Sequence, residues 1–570
     1  MSMSRVQTEY QLWLDDPAID PTTKEELRAI GGSAKEIEDR FYKDLEFGTG
    51  GLRGVIGAGT NRINVYTVGR ASQGLAEYVL QTGAASPSIV IAYDSRNMSP
   101  EFALESALVF AGNGVKAYVF KALRPTPELS FAVRYLGASA GVVVTASHNP
   151  PEYNGYKVYG SDGGQLVPEA AGQVIALVGA VDSFNKVKKL GREEAEASGL
   201  LEWIGEEIDI KYTAAVASVS QNSDIVRQIS GDFRIVYTPL HGAGNVPVRD
   251  ALQAVGFDQV QVVPEQELPD SRFSTVKSPN PEEKEAFTLA IKQAEAWDAD
   301  IIIGTDPDCD RMGAVVKDAN GDYIVLTGNQ SGAIMVNYLL HSMQERGTLP
   351  GNGVVIKTIV TSEMGAVIAN HYGVPTLNTL TGFKYIGEKM TEYEQTGEHQ
   401  FLFGYEESYG YLAGDYARDK DAVIASMLIC EAAAYYKTQG KTLYDVLQEL
   451  YESFGYFLER LESRTLKGKD GVEQIGRIME SWRTNPPEQI HGKRVLEIED
   501  YSKGIHGLPH ENVLKFKLEN GSWFCLRPSG TEPKIKFYFA VQGTSASQAA
   551  EQLNDIVQDV LSRIDGQGSE

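Results

Sequence analysis

Apolar runs of strand length alternate with helix-like segments through most of this chain. Over 88–150 they read SIVIAYDSR, PEFALESALVFAGNG, VKAYVF, PELSFAVRYLG and GVVVTASHNP. This alternation predicts α/β units built on a mixed or parallel sheet. The rhythm returns as FRIVYTPLHGAG (233–244) followed by VPVRDALQAVGF, and again as NGVVIKTIV (352–360) followed by SEMGAVIANHYG. Three related α/β units are therefore expected. Between the first two, residues 181–215 are charged and helix-prone, which suits an exposed connecting helix and a boundary near 215. After about residue 450 the pattern changes to strand-like NVLKFKLENGSWFCLRPSG and IKFYFAV, closed by an amphipathic helix, SASQAAEQLNDIVQDVLSRI. That pattern suits a smaller α+β domain. A chain of 570 residues is too long for one core, and at ~150 residues per domain it divides into roughly four. The expected division is 1–215, 216–324, 325–450 and 451–570, with clefts between the units.

Composition narrows the class. Hydrophobic residues at 42% with 23% charged exclude a largely disordered chain. Acidic residues outnumber basic ones by 77 to 52, a net charge of −25 that repels nucleic acid and anionic membrane. An anionic substrate would need local basic or Gly-rich pockets. Three cysteines, Cys309, Cys430 and Cys525, suit a reducing compartment and make a poor zinc site. The opening MSMSRVQTEYQLWLDD has no apolar signal core, and no run approaches the ~18 to 20 apolar residues of a spanning helix, so the cytoplasm is the expected location.

Four segments carry candidate chemistry. GVVVTASHNPPEYNGYKVY (141–159) puts Thr145, Ser147, His148 and Asn149 after a buried-strand run that Pro150 and Pro151 stop, so Ser147 is expected exposed at a strand end. Alone, this would read as a capped turn, and adjacent Ser and His do not make a hydrolytic dyad. In ADIIIGTDPDCDRMGAV (299–315) an apolar strand ends in Asp306, Asp308 and Asp310, with Arg311 next. Carboxylates at every second position share a face and repel unless a cation neutralises them, and oxygen-only ligation selects a hard ion such as magnesium. A solvated acidic turn or a calcium loop is the lesser reading, and Arg311 and Lys317 stand where the calcium loop's Gly and Glu belong. In CLRPSGTEPKIKFY (525–538), Arg527, Ser529, Gly530, Thr531 and Lys534 form a plausible phosphate cradle, against the plainer reading of a hairpin turn. FGYEESYGYL (403–412) offers Glu406, Glu407 and Ser408 to sugar hydroxyls and is a weak signal by itself.

In chain order, FGTGGLRG (47–54), TASHNP (145–150), DPDCDR (306–311), YEES (405–408) and RPSGTEPK (527–534) resemble the signature loops of the α-D-phosphohexomutase family. The likeness runs from about residue 40 to the end. It implies four domains, three related α/β and one smaller α+β, each giving one loop to a central cleft. Ser147 then resembles the serine phosphorylated in the resting enzyme, and Asp306, Asp308 and Asp310 resemble the magnesium ligands, completed by a phosphate oxygen on Ser147. Arg53 and Lys157 resemble the cations flanking the moving phosphoryl group, Arg311 resembles the residue supporting the metal loop, and Lys384 of TGFKYIGE (381–388) is expected to be an electrostatic contributor. Glu406 and Ser408 match the pair that grips sugar hydroxyls, joined on the substrate side by Lys420 of ARDKDAV (417–423). Arg527, Ser529, Gly530 and Thr531 match the pocket for the phosphate that is not reacting. One departure is that Tyr405 stands where many relatives carry Gly.

The implied reaction moves a phosphoryl group between two positions of a small sugar phosphate. Glucose 1-phosphate and glucose 6-phosphate are the expected pair, through glucose 1,6-bisphosphate, with mannose or pentose phosphates as alternatives. Candidates for the base are Lys157, a ligand carboxylate and His148. A phosphatase would leave the distal cradle unused, and a non-catalytic sugar-phosphate sensor would not need Ser147 and the aspartates. No nucleic acid, membrane or obligate protein partner is implied.

Overall fold

The computed structural model describes residues 5–48, 50–466, 468–529 and 534–567. Gly530 and Thr531 of the expected phosphate cradle lie outside the described residues.

The first sheet contains β1 (Gly51–Val55), β2 (Ser88–Tyr93), β3 (Lys116–Phe120), β4 (Ala140–Val144), β5 (Tyr153–Gly160) and β6 (Leu201–Ile204), in the order β1-β5-β4-β2-β3-β6. Strands β4, β2, β3 and β6 run parallel, and β5 turns back antiparallel on β4. The second sheet has β7 (Arg234–Thr238), β8 (Gln259–Val262), β9 (Ile301–Thr305), β10 (Met312–Lys317) and β11 (Tyr323–Val325). The third has β12 (Gly353–Thr358), β13 (Thr376–Thr379), β14 (Gln400–Glu406) and β15 (Gly410–Ala413). Both repeat the plan of parallel strands with an antiparallel return, β9–β10 and β14–β15, and in the second sheet β11 adds a further antiparallel pairing on β10. Completely buried runs such as Ile301–Thr305 explain why these strands read as continuous apolar segments rather than as alternation.

The fourth sheet is wholly antiparallel: β16 (Tyr456–Thr465), β17 (Gln489–Ile490), β18 (Lys493–Asp500), β19 (Leu514–Leu518), β20 (Trp523–Pro528) and β21 (Lys534–Gly543). The helices Gly468–Thr484 and Ala546–Gln567 accompany it, and Met479, Trp482, Val557 and Val560 pack on its inner strands. The result is the expected four-domain plan of three α/β units and one α+β unit around a central cleft.

Two features depart from the sequence reading. The charged stretch 181–215, expected as a connecting helix or a domain boundary, carries the helices Arg192–Ala197 and Glu206–Ala217 but also the edge strand β6, because Leu201 and Ile204 are buried where the strand pairs with β3. Ahead of the first sheet, helices Arg5–Asp15, Pro21–Ala29 and Ala34–Phe41 gather Tyr10, Trp13, Leu27, Ile37 and Phe41 into a small core of their own. Among the described residues no helix is long and apolar enough to cross a membrane.

Candidate active site

Each α/β unit places its chemistry at the same point. The hairpin turns after β4, β9 and β14 carry residues 145–152, 306–311 and 407–409 respectively. A buried parallel strand ends there and its side chains emerge into the crevice between units.

Ser147 has left-handed backbone, with φ 51°. Its N–H donates to Thr145 Oγ1 at 2.8 Å, and that hydroxyl donates to Asp94 Oδ2 at 2.6 Å. Contrary to the expectation of an exposed hydroxyl, Ser147 is only 5% exposed, because the aspartate loop of the second unit closes over it. Its Oγ lies 3.4 Å from Asp308 Oδ2. Arg53, on β1, donates to Asn149 Oδ1 at 3.2 Å and so faces the same loop. His148 is neighboured by Arg311 and Arg53; burial and these cations push its imidazole well below the usual range, which keeps it neutral.

The three aspartates are fully buried and offer ligand oxygens within 4.8 Å of one another. One oxygen of each is held by the protein. Asp306 Oδ1 accepts the N–H groups of Asp310 (3.1 Å) and Arg311 (3.0 Å). Asp308 Oδ2 accepts from Thr126 Oγ1 at 2.8 Å and Lys157 Nζ at 2.7 Å. Asp310 Oδ2 meets Lys157 Nζ at 3.1 Å and Lys420 Nζ at 3.0 Å. The other oxygens, Asp306 Oδ2, Asp308 Oδ1 and Asp310 Oδ1, have no hydrogen-bond donor among the described residues. Unsatisfied buried carboxylate oxygens are costly, and three together fit a hard cation bound by oxygen. The charge pattern agrees. Burial and its two acidic neighbours raise Asp306 well above the carboxylate range. Burial works against ionisation of Asp310, but Lys157, Lys420 and Arg311 outweigh it and hold its carboxyl down. Burial would likewise discharge Lys157 and Lys420, yet the aspartates hold both ammonium groups above their ordinary values.

Glu406 ends β14, and its Oε1 accepts the N–H of Gly382 at 2.9 Å. Burial pushes its carboxyl up to about 7, with Lys420 opposing. Ser408 lies half-buried on the following turn. Arg311 binds Glu282 and forms a bridge to Gly410, which ties the aspartate loop to the sugar loop. Tyr405 does not face this loop. Its ring fits against Gly332, where a Cβ would come within 2.3 Å, and its hydroxyl against Gly365, where a Cβ would come within 2.2 Å. Two glycines on neighbouring helices thus make room for the side chain that replaces one in the loop.

Across the cleft, Arg527 on β20 donates to Glu511 Oε1 at 3.2 Å, and Ser529 N–H donates to Lys534 O at 2.7 Å. Lys384, at the start of helix Phe383–Thr396, sits 5.0 Å from the Tyr385 ring centroid and is pushed down by burial, with Glu511 and Arg527 as its charged neighbours. Lys536 is a further cation here, lowered by burial and by Arg527. Sequence reading quoted Lys536 only as part of its segment, and passed over Asp94, Arg96 and Thr126. The adjacent DSR and RPTPE stretches, each following a strand, were the available signals.

Fold and site together define a multidomain α/β protein whose loops converge on a buried acidic centre suited to a metal ion. Models of the phosphoglucomutase/phosphomannomutase family match in order: α/β/α domain I over 44–184, domain II over 211–321, domain III over 327–454 and the C-terminal domain over 468–559. A phosphoglucomutase of Staphylococcus haemolyticus (strain JCSC1435) is 38% identical over 533 residues, covering 91% of this chain and 94% of that protein. A phosphoglucomutase of Staphylococcus aureus (strain USA300) is 37% identical over 552 residues, covering 92% and 94%. Among solved structures, parafusin (phosphoglucomutase) from Paramecium in an open form superposes with TM-score 0.69 at 17% identity, covering 92% of this chain and 95% of its own. A putative phosphomannomutase from Thermus thermophilus does so with TM-score 0.68 at 21% identity, covering 92% and 99%. The chain belongs to the phosphoglucomutase/phosphomannomutase family, the α-D-phosphohexomutases.

Proposed function

We propose that this enzyme interconverts glucose 1-phosphate and glucose 6-phosphate through a phosphoserine at Ser147 and a glucose 1,6-bisphosphate intermediate. The observation that carries it is the meeting of Ser147 Oγ with Asp308 at 3.4 Å, inside a group of three buried aspartates that each keep one oxygen without a donor. In the first half-reaction the P–O bond to Ser147 Oγ breaks as a P–O bond to the free sugar hydroxyl forms, and that hydroxyl gives up its proton. The second half-reaction returns the other phosphate to Ser147 after the bisphosphate has turned in the cleft. Lys157 and Arg53 flank the transferring group, and Lys157, held as a cation by Asp308 and Asp310, suits charge stabilisation better than proton removal. His148, neutral and with Nδ1 buried without a partner among the described residues, has the protonation state a base requires. Magnesium bound by Asp306, Asp308 and Asp310 would neutralise the phosphate oxygens. Glu406, Ser408 and Lys420 orient the sugar, while Arg527, Ser529, Lys384 and the 530–531 segment take the phosphate that is not reacting.

The units are taken to divide near 215, 324 and 450. The enzyme acts in the cytoplasm on free sugar phosphates, without an obligate protein partner. Tyr405 faces away from the sugar loop and so gives no reason to prefer mannose or pentose substrates. The test is the Ser147→Ala variant beside wild type, with glucose, mannose and pentose 1-phosphates as competing substrates and peptide mapping of the phosphate. Among the described residues the serine hydroxyl makes one long hydrogen bond, so the variant should fold. Wild type should carry phosphate on Ser147 and prefer glucose 1-phosphate, and the variant should lose nearly all turnover. Near-normal turnover without Ser147 would remove it from the mechanism.

A further inference from the structure

Arg96 is fully buried, yet it touches neither the aspartates nor the sugar-facing loops through any hydrogen bond. Among the described residues, all four of its side-chain hydrogen bonds go to main-chain carbonyls of the segment around Ser147. Nη2 donates to Ser147 O and Asn149 O, both at 2.5 Å, and Nη1 donates to Pro150 O at 2.8 Å and Tyr153 O at 3.1 Å. Asp94, which holds Thr145 and through it the Ser147 N–H, lies 3.4 Å from Arg96 Nε. Its other face is covered from the second unit, where the Phe273 ring centroid sits 5.0 Å from the guanidinium carbon. Phe273 is itself buried with left-handed backbone, φ 48°. The strand β9 and the aspartate loop that follows it belong to this same unit.

We propose that Arg96, capped by Phe273, is the positioning residue that holds Ser147 in register with the aspartate centre. The inference rests on Ser147 being the phosphorylated residue. A left-handed backbone at a non-glycine residue persists only where its surroundings over-determine it, and Ser147 O is one of the atoms Arg96 grips. The planar, forked guanidinium can reach four divergent carbonyls at once, whereas a lysine ammonium has one point of charge. The Phe273 cap links that grip to the unit carrying the aspartates, alongside the bonds that Thr126 and Lys157 make to Asp308. His241 ties down the segment that carries Phe273, with Nε2 2.8 Å from Thr275 Oγ1 and Nδ1 3.1 Å from Leu268 O, while Ala243 N–H donates to Pro307 O of the aspartate loop at 2.8 Å.

The test compares wild type with Arg96→Lys, Arg96→Ala and Phe273→Leu. The readouts are kcat and KM for glucose 1-phosphate, phosphate on Ser147 by intact mass after incubation with glucose 1,6-bisphosphate, and rescue by guanidinium. Displacing the loop by about an ångström should lower kcat of Arg96→Lys on the order of a hundredfold, with KM changed less than about threefold. Phe273→Leu keeps apolar volume but loses the ring, and its kcat should fall roughly threefold to tenfold. Dilute guanidinium chloride should restore part of the Arg96→Ala rate, and urea at equal concentration should not. An Arg96→Lys kcat close to wild type, or a loss in every variant that tracks only the folded fraction, would overturn the proposal. If both Arg96 variants fail to fold, an unchanged kcat in Phe273→Leu overturns it and the stated fall supports it. Wild type without phosphate on Ser147 would instead remove the reading on which the inference stands.

Discussion

The Thr126 hydroxyl should be needed for metal affinity although it lies in a different unit from the metal loop. Thr126 opens the helix Thr126–Leu136 and is completely buried. The N-cap of that helix is Pro125, and the Thr126 hydroxyl stands one position inside it. It donates to Asp308 Oδ2 at 2.8 Å, and the Thr126 N–H donates to Asp308 O at 2.8 Å. Thr126→Val keeps the shape and the main-chain bond and removes only the hydroxyl. Asp308 Oδ2 then retains Lys157 at 2.7 Å and the long contact from Ser147 at 3.4 Å. A hydrogen bond to a charged group contributes about 1.5 to 3 kcal/mol. If the cost falls on the orientation of Asp308, metal affinity should drop roughly tenfold to a hundredfold, the usual loss when a partner of a metal ligand is removed. The assay is mutase rate against free magnesium in chelator-stripped enzyme, with Thr126→Ser, which keeps the hydroxyl, as the control. The expected result is a right-shifted magnesium curve for valine and a near-normal one for serine. An unshifted curve with full activity in Thr126→Val would refute the reasoning and reduce the contact to packing.

Arg527→Ala should weaken glucose 1-phosphate roughly tenfold to a hundredfold and release free glucose 1,6-bisphosphate, measured by steady-state assay with quantification of the intermediate; unchanged affinity with no extra release would take Arg527 out of the site. Glu406, pushed up to about 7 by burial, binds a proton in the folded state that the unfolded chain has already lost. Its contribution to stability is therefore present below its ordinary value and is lost as pH rises through about 7, so Glu406→Gln should gain on wild type in urea midpoint between about pH 5 and about pH 8. A constant difference across that range would contradict it. In Gly387→Ala the new Cβ would lie 2.4 Å from Arg418 O, a main-chain atom, and the variant should lose about 1 to 3 kcal/mol in denaturant unfolding.

Much of this molecule is written locally. Buried parallel strands such as Ile301–Thr305 announce themselves as apolar runs, and the residues after them, Ser147 and Asp306 to Asp310, stand out because hydroxyl and carboxylate groups interrupt that pattern. The alternate spacing of three aspartates after an apolar strand points to a cation, and their burial makes that cation necessary. Other features depend on which distant segments meet. The strand β6 hides in a charged stretch because an edge strand buries only part of its side chains. Lys157 and Lys420 converge on Asp310 from the first and third units, and Thr126 reaches Asp308 across a unit boundary. Ser147 is buried only because the aspartate loop closes over it. Arg96 looks like an ordinary surface cation after a strand until its four carbonyl partners and Phe273 are in place. Periodicity reports the burial of a residue among its chain neighbours. The pairing of charges and hydroxyls between units is decided only when the chain has packed, because only then does desolvation make each unpaired group expensive.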